Sequence, residues 1–284
     1  METDYSRSIL ITGCSSGIGR CVAEGLAKRG YWVFAAARRP ENVADLHSAG
    51  LETLTLDLDN PESIRYGLDS VLERTGGKLY ALFSNGAYGQ PGAVEDLTRD
   101  VLRAQFETNL FGTHDLTRRV IPIMRRQGYG RIIQNSSVLG LVSLPFRGAY
   151  NASKFALEGL TDTLRLELAG TGVHISLVEP GPITSRFRAN AFAKFRDNID
   201  ADSSAFHDTY RRMENRLTKK GPAAPFTLPP EAVLKKVLHA LESPRPKIRY
   251  YVTFPTYLFA TLRRLLPHAM LDSVLARIGS RENR

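Results

Sequence analysis

Tyr150 and Lys154 lie four residues apart in the stretch YNASKFALEGL, which reads as a helix. Side chains at that spacing sit one turn apart and point the same way. Tyrosine alone is a poor proton donor or acceptor at neutral pH, because its ordinary pKa is about 10. A neighbouring ammonium favours the tyrosinate and lowers that value. A fall of about two to three units equals about 3–4 kcal/mol of differential interaction, enough for Tyr150 to exchange a proton near neutrality. Ser137 stands thirteen residues earlier, at the end of the apolar run RIIQNSS. Its hydroxyl can bond an oxygen on which charge develops. Asn109, in ETNLFG, is expected to hold a water that relays protons. Singly, each residue has a plainer role: a tyrosine at a helix start packs, and a lysine one turn later is solvated.

A second set of residues suits a phosphate-bearing ligand. TGCSSGIG, residues 12–19, follows an apolar run and opens an amphipathic one. Gly13, Gly17 and Gly19 let the backbone turn tightly and approach a pyrophosphate at a helix N-terminus. Ser15, Ser16 and Ile18 fill the turn between them. The next apolar run, FAAA, ends in Arg38 and Arg39. Dinucleotide-binding folds often carry an acid there for the ribose 2′-hydroxyl. Arginine instead forks onto a 2′-phosphate, so NADP is expected over NAD. Asp57 and Leu58, in LDLD, fall where an adenine would lie. Asp57 either meets the adenine amino group or caps the next helix, for which Asp59 or Asn60 is better placed. Asn85, Gly86 and Ala87, in SNGAYG, leave room for the adenine-side ribose.

These residues need a scaffold that brings distant segments together. The apolar runs SILIT, WVFAAA, LETLTLD, LYALFS, RIIQNS and VHISLVE alternate with amphipathic stretches, and RYYVT follows later. Near-continuous apolar strands between helices predict a parallel sheet covered on both faces. Right-handed crossovers then make an α/β, Rossmann-type doubly wound fold of about seven strands. The 284 residues, 43% of them hydrophobic, are read as one domain spanning residues 1–284. Residues 185–230 break the alternation and predict a mobile substrate lid. Residues 255–280 predict an amphipathic helical tail.

Charge and composition narrow the function classes. Residues 1–184 carry a net charge of −1 and residues 185–284 a net +10. That asymmetry suits an anionic partner or a solvated basic face. The basic part has no zinc pattern, recognition motif or basic–aromatic platform, so no nucleic-acid partner is expected. His114, His174, His207, His239 and His268 show no metal spacing, and no metal is expected. Two cysteines, Cys14 and Cys21, suit a reducing compartment. With no signal-peptide pattern or long apolar run, a cytoplasmic location is expected.

Taken together, TGCSSGIG, Asn85–Ala87, Asn109, Ser137, YNASK and EPGPIT resemble the short-chain dehydrogenase/reductase family, in order over about residues 8–184. The resemblance implies a catalytic tetrad of Asn109, Ser137, Tyr150 and Lys154. It implies that Lys154 also binds the nicotinamide ribose. Pro180, Gly181, Ile183 and Thr184 would lie along the nicotinamide, the last two at its carboxamide. One departure is SNGA, where the family more often has NNAG. The stretch GLVSLPFRGAYNASKFALEGL resembles the branch of 17β-hydroxysteroid and retinol dehydrogenases and related bacterial aldehyde reductases. That branch implies a lipophilic aldehyde, ketone or alcohol as substrate, lined here by Phe187 and Phe192 beside Ser137 and Tyr150. It also implies a homodimer or homotetramer through helices near 101–124 and 150–168. The tail, with Arg263 and Arg264, is expected either to pack within the assembly or to rest on an anionic membrane surface. A non-catalytic NADP-sensing regulatory protein is the alternative, and it has no need of the Tyr150–Lys154 pair.

Overall fold

The apolar runs form seven strands: β1 (Ser8–Thr12), β2 (Trp32–Ala37), β3 (Glu52–Thr55), β4 (Ala81–Ser84), β5 (Gly130–Asn135), β6 (Val173–Glu179) and β7 (Arg249–Tyr251). The computed structural model describes residues 7–218, 221 and 224–282. The sheet order is β3-β2-β1-β4-β5-β6-β7, with every neighbouring pair parallel. This is the expected Rossmann-type doubly wound fold.

Strand side chains alternate between two cores. Ile9 and Ile11 pack with Val22 and Leu26 of α1 (Gly17–Lys28). Leu10 faces the other way, toward Ile64 and Leu68 of α3 (Pro61–Arg74), which follows the short α2 (Ala44–Ser48). The start of α3 is local chemistry: Asn60 Oδ1 accepts from the N–H groups of Glu62 at 2.9 Å and Ser63 at 3.1 Å. Pro61 then supplies a first helical position that needs no donor. Asn60, rather than Asp57, is therefore the cap.

The long helical region expected before Met124 contains a defect. α4 (Arg99–Phe106) runs through a π-helical turn, Glu107–Gly112, into α5 (Thr113–Gln127). Asn109 sits in that wide turn. α6 (Gly148–Glu167) carries Tyr150 and Lys154. The chain leaves β1 toward β2 but leaves β4 toward β5, although β1 and β4 are neighbours. That reversal opens a crevice at the C-terminal strand ends.

Residues 185–230, read from the sequence as a lid, carry regular structure. They contain α7 (Phe187–Asn198) and α8 (His207–Thr218). Tyr210, Met213 and Leu217 recur at helical spacing and bury with Phe195 and Ile199 in a small core of their own. The Tyr210 hydroxyl also accepts from the Ala93 N–H at 2.8 Å and bonds Asp96, which ties α8 to the loop after β4. After α9 (Glu231–Glu242) and β7, the tail is two helices, α10 (Phe254–Leu265) and α11 (His268–Glu282). Pro267 separates them, because proline cannot continue the hydrogen-bond ladder. Phe259, Leu271 and Leu275 bury against Val142, so much of the tail's apolar side packs within the molecule. No helix among the described residues is long and apolar enough to cross a membrane.

Candidate active site

Three strand ends meet at the crevice and are laced by one asparagine. Asn85 Nδ2 donates to the carbonyls of Thr12 at 3.0 Å and Gly13 at 3.2 Å. Its Oδ1 accepts from Asn135 Nδ2 at 2.9 Å. The Thr12 hydroxyl in turn accepts from the N–H groups of Asn85 and Gly86 at 3.0 and 2.9 Å. The C-terminal ends of β1, β4 and β5 are thereby tied together. The departure SNGA has a packing reason here. A Cβ on Gly86 would come within 2.9 Å of Leu58 Cδ1.

The glycine turn is a cradle for a flat, charged group. Gly13 has φ +72, which a side chain would strain. A Cβ on Gly19 would lie 2.3 Å from the Gly13 carbonyl oxygen. Ser16 precedes α1 in extended conformation, does not cap it, and the first turn carries no acid. Its N–H groups point out at the crevice with the positive end of the helix dipole, which is the chemistry of a phosphate site. Gly19→Ala is expected to cost about 1–3 kcal/mol by overpacking and to weaken dinucleotide binding at least about tenfold by widening the turn. Thermal unfolding and a fluorescence titration with NADPH check both effects.

Around this cradle the remaining cofactor candidates take distinct places. Arg38 and Arg39 follow β2 directly and are exposed. Asp57 Oδ1 accepts from the Asp59 N–H at 3.1 Å, and Leu58 is buried. Pro180 O accepts from the Val138 N–H at 2.8 Å, which joins the segment after β6 to the segment after Ser137. Thr184 N–H donates to Leu228 O at 3.0 Å, and Ile183 packs on the core. Ser185, absent from the sequence expectations, lies against Gly17, where a Cβ would meet its Cβ at 2.8 Å.

Ser137, Tyr150 and Lys154 converge. Ser137 lies beside the Tyr150 hydroxyl, and its Oγ donates to Pro180 O at 3.5 Å. Ser137 Oγ also accepts from the Leu139 N–H at 3.1 Å, which fixes its rotamer. Lys154, 3% exposed, donates from Nζ to Asn135 O at 2.7 Å. The Lys154 Nζ lies 5.7 Å from the Tyr150 ring centroid. Phe187 meets the same ring edge-on, with centroids 5.3 Å apart. Phe192 packs instead on the small core of Phe195 and Tyr210.

Burial dominates the electrostatics of this group. It pushes Tyr150 up to about 12, and the neighbouring Ser137 only partly offsets it. Burial also lowers Lys154 to about 8, against the pull of Glu158. Lys154 therefore does not bring Tyr150 down in the protein alone, because desolvation penalises both charges at once. Asn109, 1% exposed, is already engaged. Its Nδ2 donates to Tyr88 O at 3.0 Å and to Ser153 Oγ at 3.1 Å, while its Oδ1 accepts from the Tyr88 N–H at 3.1 Å. Both amide hydrogens are used, so the side chain braces the loop after β4 against α6. Ser153, also absent from the sequence expectations, passes that brace on by donating to Tyr150 O at 2.8 Å. Its place between the two named residues of YNASK was the available signal.

Comparisons with known proteins agree with this architecture. Residues 7–195 match the family model described as short chain dehydrogenase. The chain is 43% identical over 269 residues to the "Uncharacterized oxidoreductase YbbO" of Escherichia coli strain K12, covering 95% of this chain and 94% of that one. It is 35% identical over 258 residues to human 17-beta-hydroxysteroid dehydrogenase type 1, covering 86% and 77%. Among solved structures, a short chain dehydrogenase/reductase from Burkholderia phymatum in complex with NAD superposes with a TM-score of 0.75 at 28% identity, covering 93% and 94%.

Proposed function

The chain belongs to the short chain dehydrogenase family as one of its oxidoreductases, and from that premise we propose that it reduces a lipophilic aldehyde or ketone with NADPH. The observation that carries this reading is the convergence of Ser137, Tyr150 and the buried Lys154 in the switch-point crevice. NADP fits the residues present: Gly13 and Gly19 make the cradle, the first turn of α1 offers donors, and exposed Arg38 meets the 2′-phosphate. The bound dinucleotide supplies the hydride. Tyr150 gives its proton to the carbonyl oxygen, and Ser137 donates to that same oxygen as charge develops there. A high tyrosine pKa suits this direction, because Tyr150 stays protonated until it is needed. The Lys154 ammonium then stabilises the tyrosinate left behind. Asn109 and Ser153 hold the backbone of Tyr88 and Tyr150 in place.

The substrate face is read from Phe187 against Tyr150 and from the α7–α8 pair as its cover. The protein is read as a cytoplasmic homo-oligomer. Exposed Phe254, Tyr257 and Leu258 near Arg263 and Arg264 support a peripheral contact with anionic lipid.

The test is NADPH oxidation, against NADH, with lipophilic aldehydes, steroid ketones and retinal. Turnover with NADPH supports the reading. NADPH binding without turnover of any carbonyl overturns it in favour of a sensing protein. Arg38→Ser is expected to cut the preference for NADPH over NADH about 10–100-fold, the worth of a charge-assisted fork of about 1.5–3 kcal/mol. An unchanged preference would move the 2′-phosphate contact to another residue.

A further inference from the structure

Behind Lys154 lies a charged cluster that the reaction as described leaves unused. Glu158 is the next residue on the same face of α6, one turn beyond Lys154. Its side chain is 8% exposed and pairs with Arg249 Nη1 at the start of β7. The same Nη1 reaches Glu179 Oε1, on the last residue of β6, at 2.6 Å, and Glu179 is 0% exposed. Arg249 Nη2 goes outward to Asp162 Oδ2 at 2.6 Å, and Asp162 also meets Arg165 at 3.4 Å. Tyr251 on β7 and Arg264 on α10 complete the titratable and charged groups around the cluster.

One guanidinium nitrogen thus serves two buried carboxylates. No donor is aligned on the buried Glu158 Oε1 or Glu179 Oε2, although the Ser136 hydroxyl lies beside Glu158. A buried oxygen with no donor has lost its water and gained nothing in return. Two carboxylates crowded in low dielectric do not both ionise readily. A single proton placed between them satisfies both orphaned oxygens and leaves one negative charge for Arg249.

We propose that Glu158 and Glu179 share one proton against Arg249, and that this pair sets the charge and orientation of Lys154. Both acids are then positioning residues, which act on the reaction through Lys154 and touch neither substrate nor cofactor. Burial, and then the charge of Glu158, push the Glu179 carboxyl up to about 8. Lys154 is brought down to about 8 and is held there against further loss by Glu158. While the proton is shared, Glu158 presents only part of its negative charge to Lys154.

This inference rests on the reading of Lys154 as the support of the tyrosinate. That reading predicts a reduction rate that falls on the alkaline side as Lys154 loses its proton. In Glu158→Gln the carboxylate beside Lys154 is gone, so the fall begins at lower pH. At pH 8.5 the variant's kcat is expected to be about five- to tenfold below the parent's, and at pH 6.5 within about twofold. In Glu179→Gln no proton can be shared and Glu158 keeps its full charge. The fall then begins at higher pH than in the parent. A role in folding alone would lower activity evenly over pH, or move both profiles the same way.

The deciding experiment reads Lys154 without turnover. The protein is labelled with ¹³C-lysine, the Lys154 Cε resonance is assigned with Lys154→Met, and its titration is followed in the parent and both variants. The expected order of midpoints is Glu158→Gln, then parent, then Glu179→Gln. Coincident midpoints, or shifts in one common direction, overturn the proposal. If Glu158→Gln does not fold, Glu179→Gln decides alone, and a midpoint at or below the parent's overturns it. A protein that reduces no carbonyl would fail the functional reading while this titration still tested the cluster.

Discussion

Replacing Tyr150 by phenylalanine is expected to slow carbonyl reduction about 10²–10⁴-fold while NADPH binding stays within about threefold. The substitution removes one oxygen. It leaves the ring, which meets Phe187 edge-on, and the helix that carries Lys154. Ser137 keeps its bond from the Leu139 N–H and can still donate to a carbonyl oxygen. Lost is the hydroxyl beside Ser137 that the proposed reaction uses to deliver a proton to the same oxygen. Steady-state rates with NADPH, paired with a binding titration, separate the two effects. A fall in rate matched by an equal fall in NADPH affinity would point to collapse of the site. A rate within tenfold of the parent would remove Tyr150 from the chemistry.

Arg249→Ala is the second large effect, and it falls on stability. Arg249 binds Glu158, Glu179 and Asp162 from β7, the last strand of the sheet. Removing it strands two buried carboxylates. Breaking a buried pair in this way costs about 3–5 kcal/mol, mostly as uncompensated charge. At about 2–4 °C per kcal/mol for a chain of this size, the melting temperature should fall by about 6–20 °C. Acid should recover part of the loss, because protonating Glu158 and Glu179 removes the stranded charges. That sign is the reverse of ordinary acid denaturation, which follows carboxylates whose native pKa is depressed. Urea unfolding at pH 7.5 and pH 5.5 makes the comparison. A loss below about 1 kcal/mol at both pH values would mean that the acids are neutral without their arginine.

Much of the site was legible because its chemistry is local. A glycine turn between a strand and a helix shows in a few consecutive residues. The pairing of Tyr150 with Lys154 follows from one helical turn. The alternation of apolar runs and amphipathic stretches specifies a parallel sheet, since strands buried on both faces must be apolar throughout. The strand order then puts the ends of β1, β4 and β5 together by handedness alone. Other features were hidden by their separation along the chain. Asn109 reads as one polar residue on a long helix, and only the π turn shows it bracing Tyr88 and Ser153. Phe192 reads like Phe187, yet α7 and α8 turn it into their own small core.

By itself, then, the sequence determined the fold class, the glycine turn after β1 and the pairing of Tyr150 with Lys154 on one helix face. Each depends on a repeat or a spacing that the backbone converts directly into geometry. Only the tertiary structure decided the electrostatics of that pair. Glu158 looks like a solvated helix residue until Arg249, far along the chain, closes over it beside Glu179. Likewise Lys154 looks like an ordinary ammonium until packing buries it against Asn135 O. A charge is written the same way in sequence whether it lies in water or in the core, and its energy depends on which of those surrounds it.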